Sequence, residues 1–110
     1  MESRLMQLQN FLKESPKDPF LKYALTMEFL KLKDKDKARA GFEELVSEYS
    51  DYVGTYYHFG KFLEEEGEKE KAIEIYERGI EVAKGKRNFH AMGELKNALL
   101  MANGLLDEDD

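Results

Sequence analysis

Few residues in this chain have the type and spacing to do chemistry. They are two histidines, His58 and His90, a glutamate, Glu94, four positions after the second, and an acidic triplet, Glu64, Glu65 and Glu66, followed shortly by Glu68 and Glu70. His90 and Glu94 stand one helical turn apart, but a metal site needs further ligands converging on the same point. The histidines are therefore expected as hydrogen-bonding or exposed surface residues. Paired catalytic carboxylates need burial or a close partner to split their pKa values, and Lys61, Lys69 and Lys71 surround the triplet. The acidic run is expected to be a solvated helix end and turn. "DKDK", Asp34 to Lys37, lacks the glycine and distal glutamate of a calcium loop. There is no Gly-x-Ser-x-Gly elbow and no glycine-rich loop after a strand. With no cysteine, thiolate catalysis, disulfides and cysteine-held metals are excluded. The expectation is a protein without enzymatic activity, metal or cofactor.

What could position a binding surface is set by the remainder of the composition. The 110 residues suit one compact domain. Apolar residues make up 42% and charged residues 36%, a balance rich in helix formers. The net charge is −6, with both signs interspersed, so no basic footprint for a phosphate backbone is visible and nucleic acid is not an expected partner. "MESRLMQLQNFLKE" has no apolar core of a secretory signal, and no run approaches the roughly 20 apolar residues that span a bilayer. The expected location is cytoplasmic, away from membranes.

Apolar residues recur at i, i+3, i+4 and i+7 along nearly the whole chain, which predicts an all-α fold of about six helices. A first helix, 2–14, carries Leu5, Leu8, Phe11 and Leu12 and stops at "SPKDP". Asp18 caps a second, 18–32, with Pro19 at its first position and Leu21, Ala24, Leu25, Phe29 and Leu32 on one side. A third, 35–48, presents Ala38, Phe42, Leu45 and Val46. A fourth starts near Asp51 or Tyr52 and carries Tyr56, Phe59, Gly60 and Leu63. A fifth, 69–84, has Ala72, Ile73, Tyr76 and Ile80, and "GKRN" leads to a sixth, 88–103, with Phe89, Met92, Leu95 and Leu99.

The pattern has a period. Tyr23 to Val46 aligns without a gap on Tyr57 to Ile80, a step of 34 residues that sets Phe29 on Leu63, Ala38 on Ala72, Phe42 on Tyr76 and Val46 on Ile80. The same step backwards puts Leu8 under Phe42, so the first helix is the second half of an earlier unit. A 34-residue helix-turn-helix period with Tyr56, Phe59, Gly60, Leu63, Gly67, Ala72 and Tyr76 in these places resembles the tetratricopeptide repeat. The first full unit keeps Leu25, Phe29, Ala38 and Phe42 but has Thr26 and Lys33 where glycines are usual. Phe89, Met92 and Gly93 look like the opening helix of a third unit, one residue out of register. The resemblance implies antiparallel helix pairs stacked as a short right-handed α-solenoid over residues 1–104: a half unit at 2–16, full units at 18–50 and 52–84, and a terminal helix at 88–103. Residues 105–110, "LLDEDD", are expected to be a disordered acidic tail.

In that family the first helices of the repeats line a concave groove. Tyr23, Met27, Tyr57, His58, Lys61, His90 and Glu94 fall off the core stripes of those helices and are the expected partner-binding residues. Aromatic and methionine side chains are typical anchors in peptide recognition. Co-chaperone members of the family clamp a terminal carboxylate with lysines and asparagines. Tyr23, Met27 and His58 stand where that set would lie, so the clamp is not carried over. The expected function is non-enzymatic binding of a peptide or partner-protein segment. The alternative is an assembly subunit that pairs copies, as a homodimer, through the terminal helix with its Leu99, Leu100 and Leu106.

Overall fold

A computed structural model describes residues 3–104. Six helices occupy them: α1 (Arg4–Glu14), α2 (Pro19–Lys31), α3 (Lys35–Glu48), α4 (Gly54–Glu65), α5 (Lys69–Gly85) and α6 (Phe89–Ala102). They fall into two compact units, residues 1–52 with α1 to α3 and residues 53–110 with α4 to α6. In the first, α1 packs on α2 and α2 on α3; in the second, α4 packs on α5, α5 on α6, and α4 also touches α6.

Helix starts follow local chemistry. Ser3, Asp18, Asp34 and Asn88 each accept a hydrogen bond from a first-turn amide, those of Met6, Phe20, Lys37 and Ala91, satisfying donors that a helix N-terminus leaves open. Asp18 and Pro19 act as the sequence predicts. Three helix ends share another device. Lys33, Gly67 and Arg87 take positive φ of 64°, 80° and 58°. The amide of the next residue then returns to a carbonyl five positions earlier, as in Asp34 to Phe29, Glu68 to Leu63 and Asn88 to Ala83. Glycine suits that backbone, and only Gly67 supplies it.

The buried side chains repeat with the period. Ala38 and Phe42 of the first unit, and Ala72 and Tyr76 of the second, have no exposed surface, so each helix pair meets at an alanine flanked by a ring. The close approach differs between the units. A Cβ on Gly60 would fall 2.1 Å from Cε1 of Tyr76, whereas a Cβ on Gly41 would fall 2.2 Å from Oγ1 of Thr26. In the second unit the glycine sits on the first helix of the pair; in the first it sits on the second helix. Thr26 is buried, and its hydroxyl donates to the Lys22 carbonyl at 2.8 Å.

Several expectations need correction. The fourth helix begins at Gly54, because residues 49–52 form a turn in which the Tyr52 amide bonds the Tyr49 carbonyl at 2.9 Å. The first helix begins at Arg4, behind its Ser3 cap. Phe11, Leu32 and Phe89, assigned to apolar faces, are 55%, 54% and 63% exposed. α1 buries a narrow strip centred on Leu8 against α2, Leu32 stands in the turn that ends α2, and Phe89 lies off the Leu95–Ala98–Ala102 stripe that α6 buries. Gly93 is no packing counterpart of Gly60: a Cβ there would meet nothing within 4 Å. Residues 105–110, with Leu106 and the acidic tail, lie outside the described residues. No helix among the described residues is long and apolar enough to cross a membrane.

Candidate functional site

In the second unit, α4 and α6 leave a hollow of about 170 Å³ between them, lined by Tyr57, Lys61, Glu94, Asn97, Ala98 and Met101. The spacing explains the lining. Tyr57 and Lys61 are one turn apart on α4, and residues 94, 97, 98 and 101 form one i, i+3, i+4, i+7 face of α6. α4 is held in place by residues on its other sides: Tyr56, Phe59, Gly60 and Leu63 are all buried. On α6 the Leu95, Ala98 and Ala102 stripe does the same.

Each expected residue of this unit has a definite place. The Lys61 ammonium lies 5.5 Å from the centre of the Tyr57 ring and 4.0 Å from the Glu64 carboxylate, so the ring face and a carboxylate together hold a cation at the rim. His58 stands edge-on to Tyr57, with ring centres 5.4 Å apart. Burial lowers the His58 pKa from its ordinary value, and the negative charge of Glu94 offsets part of that effect. Glu94 also lies 3.7 Å from Nε2 of His90, whose side chain is largely exposed. Glu94 is thus the charge that both histidines share, and Tyr57, His58, Lys61 and Glu94 form one cluster with His90 at its edge. Among the described residues no three His, Cys, Asp or Glu side chains are grouped to hold a metal ion.

Tyr23 and Met27 belong to the first unit and are half-buried. Tyr23 packs against Tyr52 with ring centres 5.5 Å apart and planes at 47°. Burial, and then the neighbouring tyrosine, raises the Tyr23 pKa; burial and then Asp18 raise that of Tyr52. The Tyr23 ring is therefore engaged within its own unit.

The residues that sequence reasoning missed are Asn97, Ala98 and Met101. Their signal was available: they fall three, four and seven positions after Glu94, on the same side of the helix. Glu64 was also misjudged in part. It ends α4 as expected, yet it accepts a hydrogen bond from the Tyr76 hydroxyl, so one member of the acidic triplet is structural.

Helix pairs that close at an alanine and a ring, repeat at 34 residues and leave first-helix side chains facing a hollow define a helical-repeat scaffold. Two tetratricopeptide repeat models match the chain, one over residues 20–52 and the other over 53–86, and the chain belongs to the tetratricopeptide-repeat family. It is similar to a tetratricopeptide repeat domain protein from Salinibacter ruber, whose crystal structure shares 48% identity over 80% of this chain and 99% of that one, with a TM-score of 0.77. A solution structure of a tetratricopeptide repeat domain protein from that organism shares 46% identity over 84% and 94%, with a TM-score of 0.78. A protein from Bordetella parapertussis, 18% identical over 94% and 90%, has the same fold at a TM-score of 0.78. No curated protein matches the chain. Tetratricopeptide repeats generally mediate protein–protein interaction.

Proposed function

We propose that this chain is a non-catalytic interaction module of the cytoplasm that holds a peptide segment of a partner protein in the hollow between α4 and α6. The observation that carries the reading is the composition of that hollow. Lys61 and Glu94 set opposite charges on its two walls, Asn97 offers an amide that both donates and accepts, and Tyr57 with Met101 supplies apolar surface. Such a set suits an extended peptide, whose backbone needs donors and acceptors and whose side chains need apolar contact. His58 stands beside Tyr57 and His90 beside Glu94, and in the first unit Tyr23 and Met27 lie half-buried on α2.

The test is selection from a displayed peptide library, followed by titration of the selected peptide against Asn97→Ala and Tyr57→Ala proteins. Both substitutions should weaken binding at least tenfold while the circular dichroism spectrum and melting temperature hold. Unchanged affinity in both would refute the assignment.

One observation favours a second reading, self-association through α6: Phe89, Leu100 and Met101 are exposed on that helix. Sedimentation at increasing concentration separates the two, since Phe89→Ser would lower the mass only if α6 pairs copies.

A further inference from the structure

The first unit carries an opening of a different kind from the hollow in the second. Between α1 and α3, with α2 as its floor, lies a groove of about 240 Å³ whose base is Leu12, Leu25, Phe29, Ala40 and Gly41. Its two ends differ in charge. At one end Lys22 and Glu44 close on each other at 2.8 Å and neutralise one another. At the other end the Lys37 ammonium lies 5.5 Å from the centre of the Phe29 ring. Phe29 is near the C-terminus of α2 and Lys37 near the N-terminus of α3, so this end opens onto the turn that joins them. Residues 31–39 carry Lys31, Lys33, Lys35, Lys37 and Arg39 against Asp34 and Asp36, an excess of three positive charges in a chain whose net charge is −6. Asp34 is committed to capping α3 through the Lys37 amide. The groove is therefore a largely apolar channel, with Thr26 on its lining, whose Lys37 end opens toward a lysine-rich turn.

A ligand fitted to that shape is amphipathic along its length: aliphatic side chains first, then several carboxylates. The chain's own sequence contains such a segment at Leu105–Asp110, two leucines followed directly by Asp107, Glu108, Asp109 and Asp110. We propose that the groove of the first unit receives the segment Leu105–Asp110 of a second copy of this chain, with the leucines over Leu25 and Phe29 and the four carboxylates on the Lys31–Arg39 turn. The order of charges fixes the direction, because the reverse orientation would set the carboxylates against Glu44. The hollow of the second unit offers one lysine facing Glu94 and could not gather four carboxylates, so this site is independent of the proposed peptide site. The contact joins different surfaces of the two copies, so association is not confined to a dimer. It also weakens with salt, as exposed charge contacts do.

The experiment is a charge exchange in the full chain. One variant carries Lys33→Glu and Lys37→Glu; glutamate at 37 is well placed in the exposed first turn of α3, where a helix N-terminus favours negative charge, and at 33 it replaces one side chain by another in the left-handed turn before the Asp34 cap. The second carries Asp107→Lys, Asp109→Lys and Asp110→Lys. Sedimentation should show a weight-average mass that rises with concentration for the natural chain, at least tenfold weaker association for each variant alone, and recovery when the two variants are mixed. In NMR titration, the signals of Leu12, Leu25 and Phe29 should shift with protein concentration. A mass independent of concentration, association indifferent to both charge changes, or tail-dependent shifts that do not vary with concentration would each overturn the proposal. The last of these would mean that the groove holds the tail of its own chain. Loss of association in Phe89→Ser with none in the charge variants would assign self-association to α6 instead.

Discussion

The Tyr76 ring lies on the bare face of Gly60. Its Cε1 stands 2.1 Å from where a Cβ of residue 60 would be, and its hydroxyl donates to Glu64, one turn further along α4. The glycine is there to admit the ring, and the glutamate to satisfy the hydroxyl that the ring carries inward. Gly60→Ala should therefore cost about 1–3 kcal/mol, the range for overpacking a core. Gly93→Ala is the matched control. That glycine is helical, exposed and open on all sides, so alanine should stabilise α6 by about 1 kcal/mol or less through helix propensity alone. Urea denaturation of the two variants should move the midpoint in opposite directions.

In the first unit the close approach falls on a different pair, with the glycine on the second helix. Gly41 admits Thr26, where the second unit has Ile75 and Gly60 at the matching positions. Gly41→Ala should destabilise by roughly 1–3 kcal/mol, because its Cβ would meet Oγ1 of Thr26 at 2.2 Å. Thr26→Gly should remove most of that penalty. A double-mutant cycle should give a coupling energy of about 0.5–3 kcal/mol, the range for residues in contact. Strict additivity would mean that the two residues do not meet.

These positions show how much of the fold the sequence carries. The 34-residue step, the alanine and ring pairs and the capping residues are local or periodic signals, and they placed all six helices. The Thr26–Gly41 exchange was not legible, because a missing glycine reads as a weaker repeat until the facing helix is seen to supply one. Phe11, Leu32 and Phe89 misled for a related reason: periodicity says which side of a helix is apolar, and only the neighbours decide whether it is covered. For the candidate site, Tyr57 and Lys61 are legible as residues off the core stripe of their helix and Glu94 as the residue one turn after His90, and these three line the hollow between α4 and α6. Asn97 and Met101 stand three and seven positions after Glu94, so extending its face along α6 reaches them, but which side of a terminal helix faces a partner helix is decided only once α4 stands opposite.

Lys33 holds a left-handed backbone with φ of 64° at the position that Gly67 fills in the next unit. A side chain in that conformation costs about 1–2 kcal/mol, and glycine's greater freedom in the unfolded chain returns roughly 0.5–1 kcal/mol of any gain. Lys33→Gly should stabilise the protein by a few tenths to about 1 kcal/mol. The reciprocal change, Gly67→Ala, should destabilise it by a similar amount. Thermal melts of both variants against the natural chain check the pair, and a lower melting temperature for Lys33→Gly would contradict the strain.

The hydroxyl of Thr55 is wholly buried in the first turn of α4 and has no hydrogen-bond partner among the described residues. A buried donor left unpaired costs about 1–3 kcal/mol. Valine keeps the shape and removes the polar group. Thr55→Val should raise stability by about 1 kcal/mol, whereas Thr55→Ala, which also removes packing volume, should lower it. Chemical denaturation of both variants distinguishes a polar cost from a packing role.

The Tyr76–Glu64 contact should also make stability fall in alkaline solution. Burial, then the hydrogen bond to Glu64, then the charge of that carboxylate and the presence of Tyr57 hold the Tyr76 hydroxyl protonated well above the ordinary tyrosine value of 10.0. In the unfolded chain the same hydroxyl ionises at about 10. A group whose folded pKa is raised contributes its full stabilisation below the unfolded pKa and loses it as the pH climbs from there toward the folded value. Between about pH 9 and 11 the natural chain should therefore lose stability more steeply than Tyr76→Phe. At pH 7 that variant lacks the hydrogen bond and should be weaker by about 0.5–1.5 kcal/mol. The two denaturation curves should converge as the pH rises. Parallel curves across that range would show that another group governs the alkaline limb and that the Tyr76 proton is not what Glu64 holds.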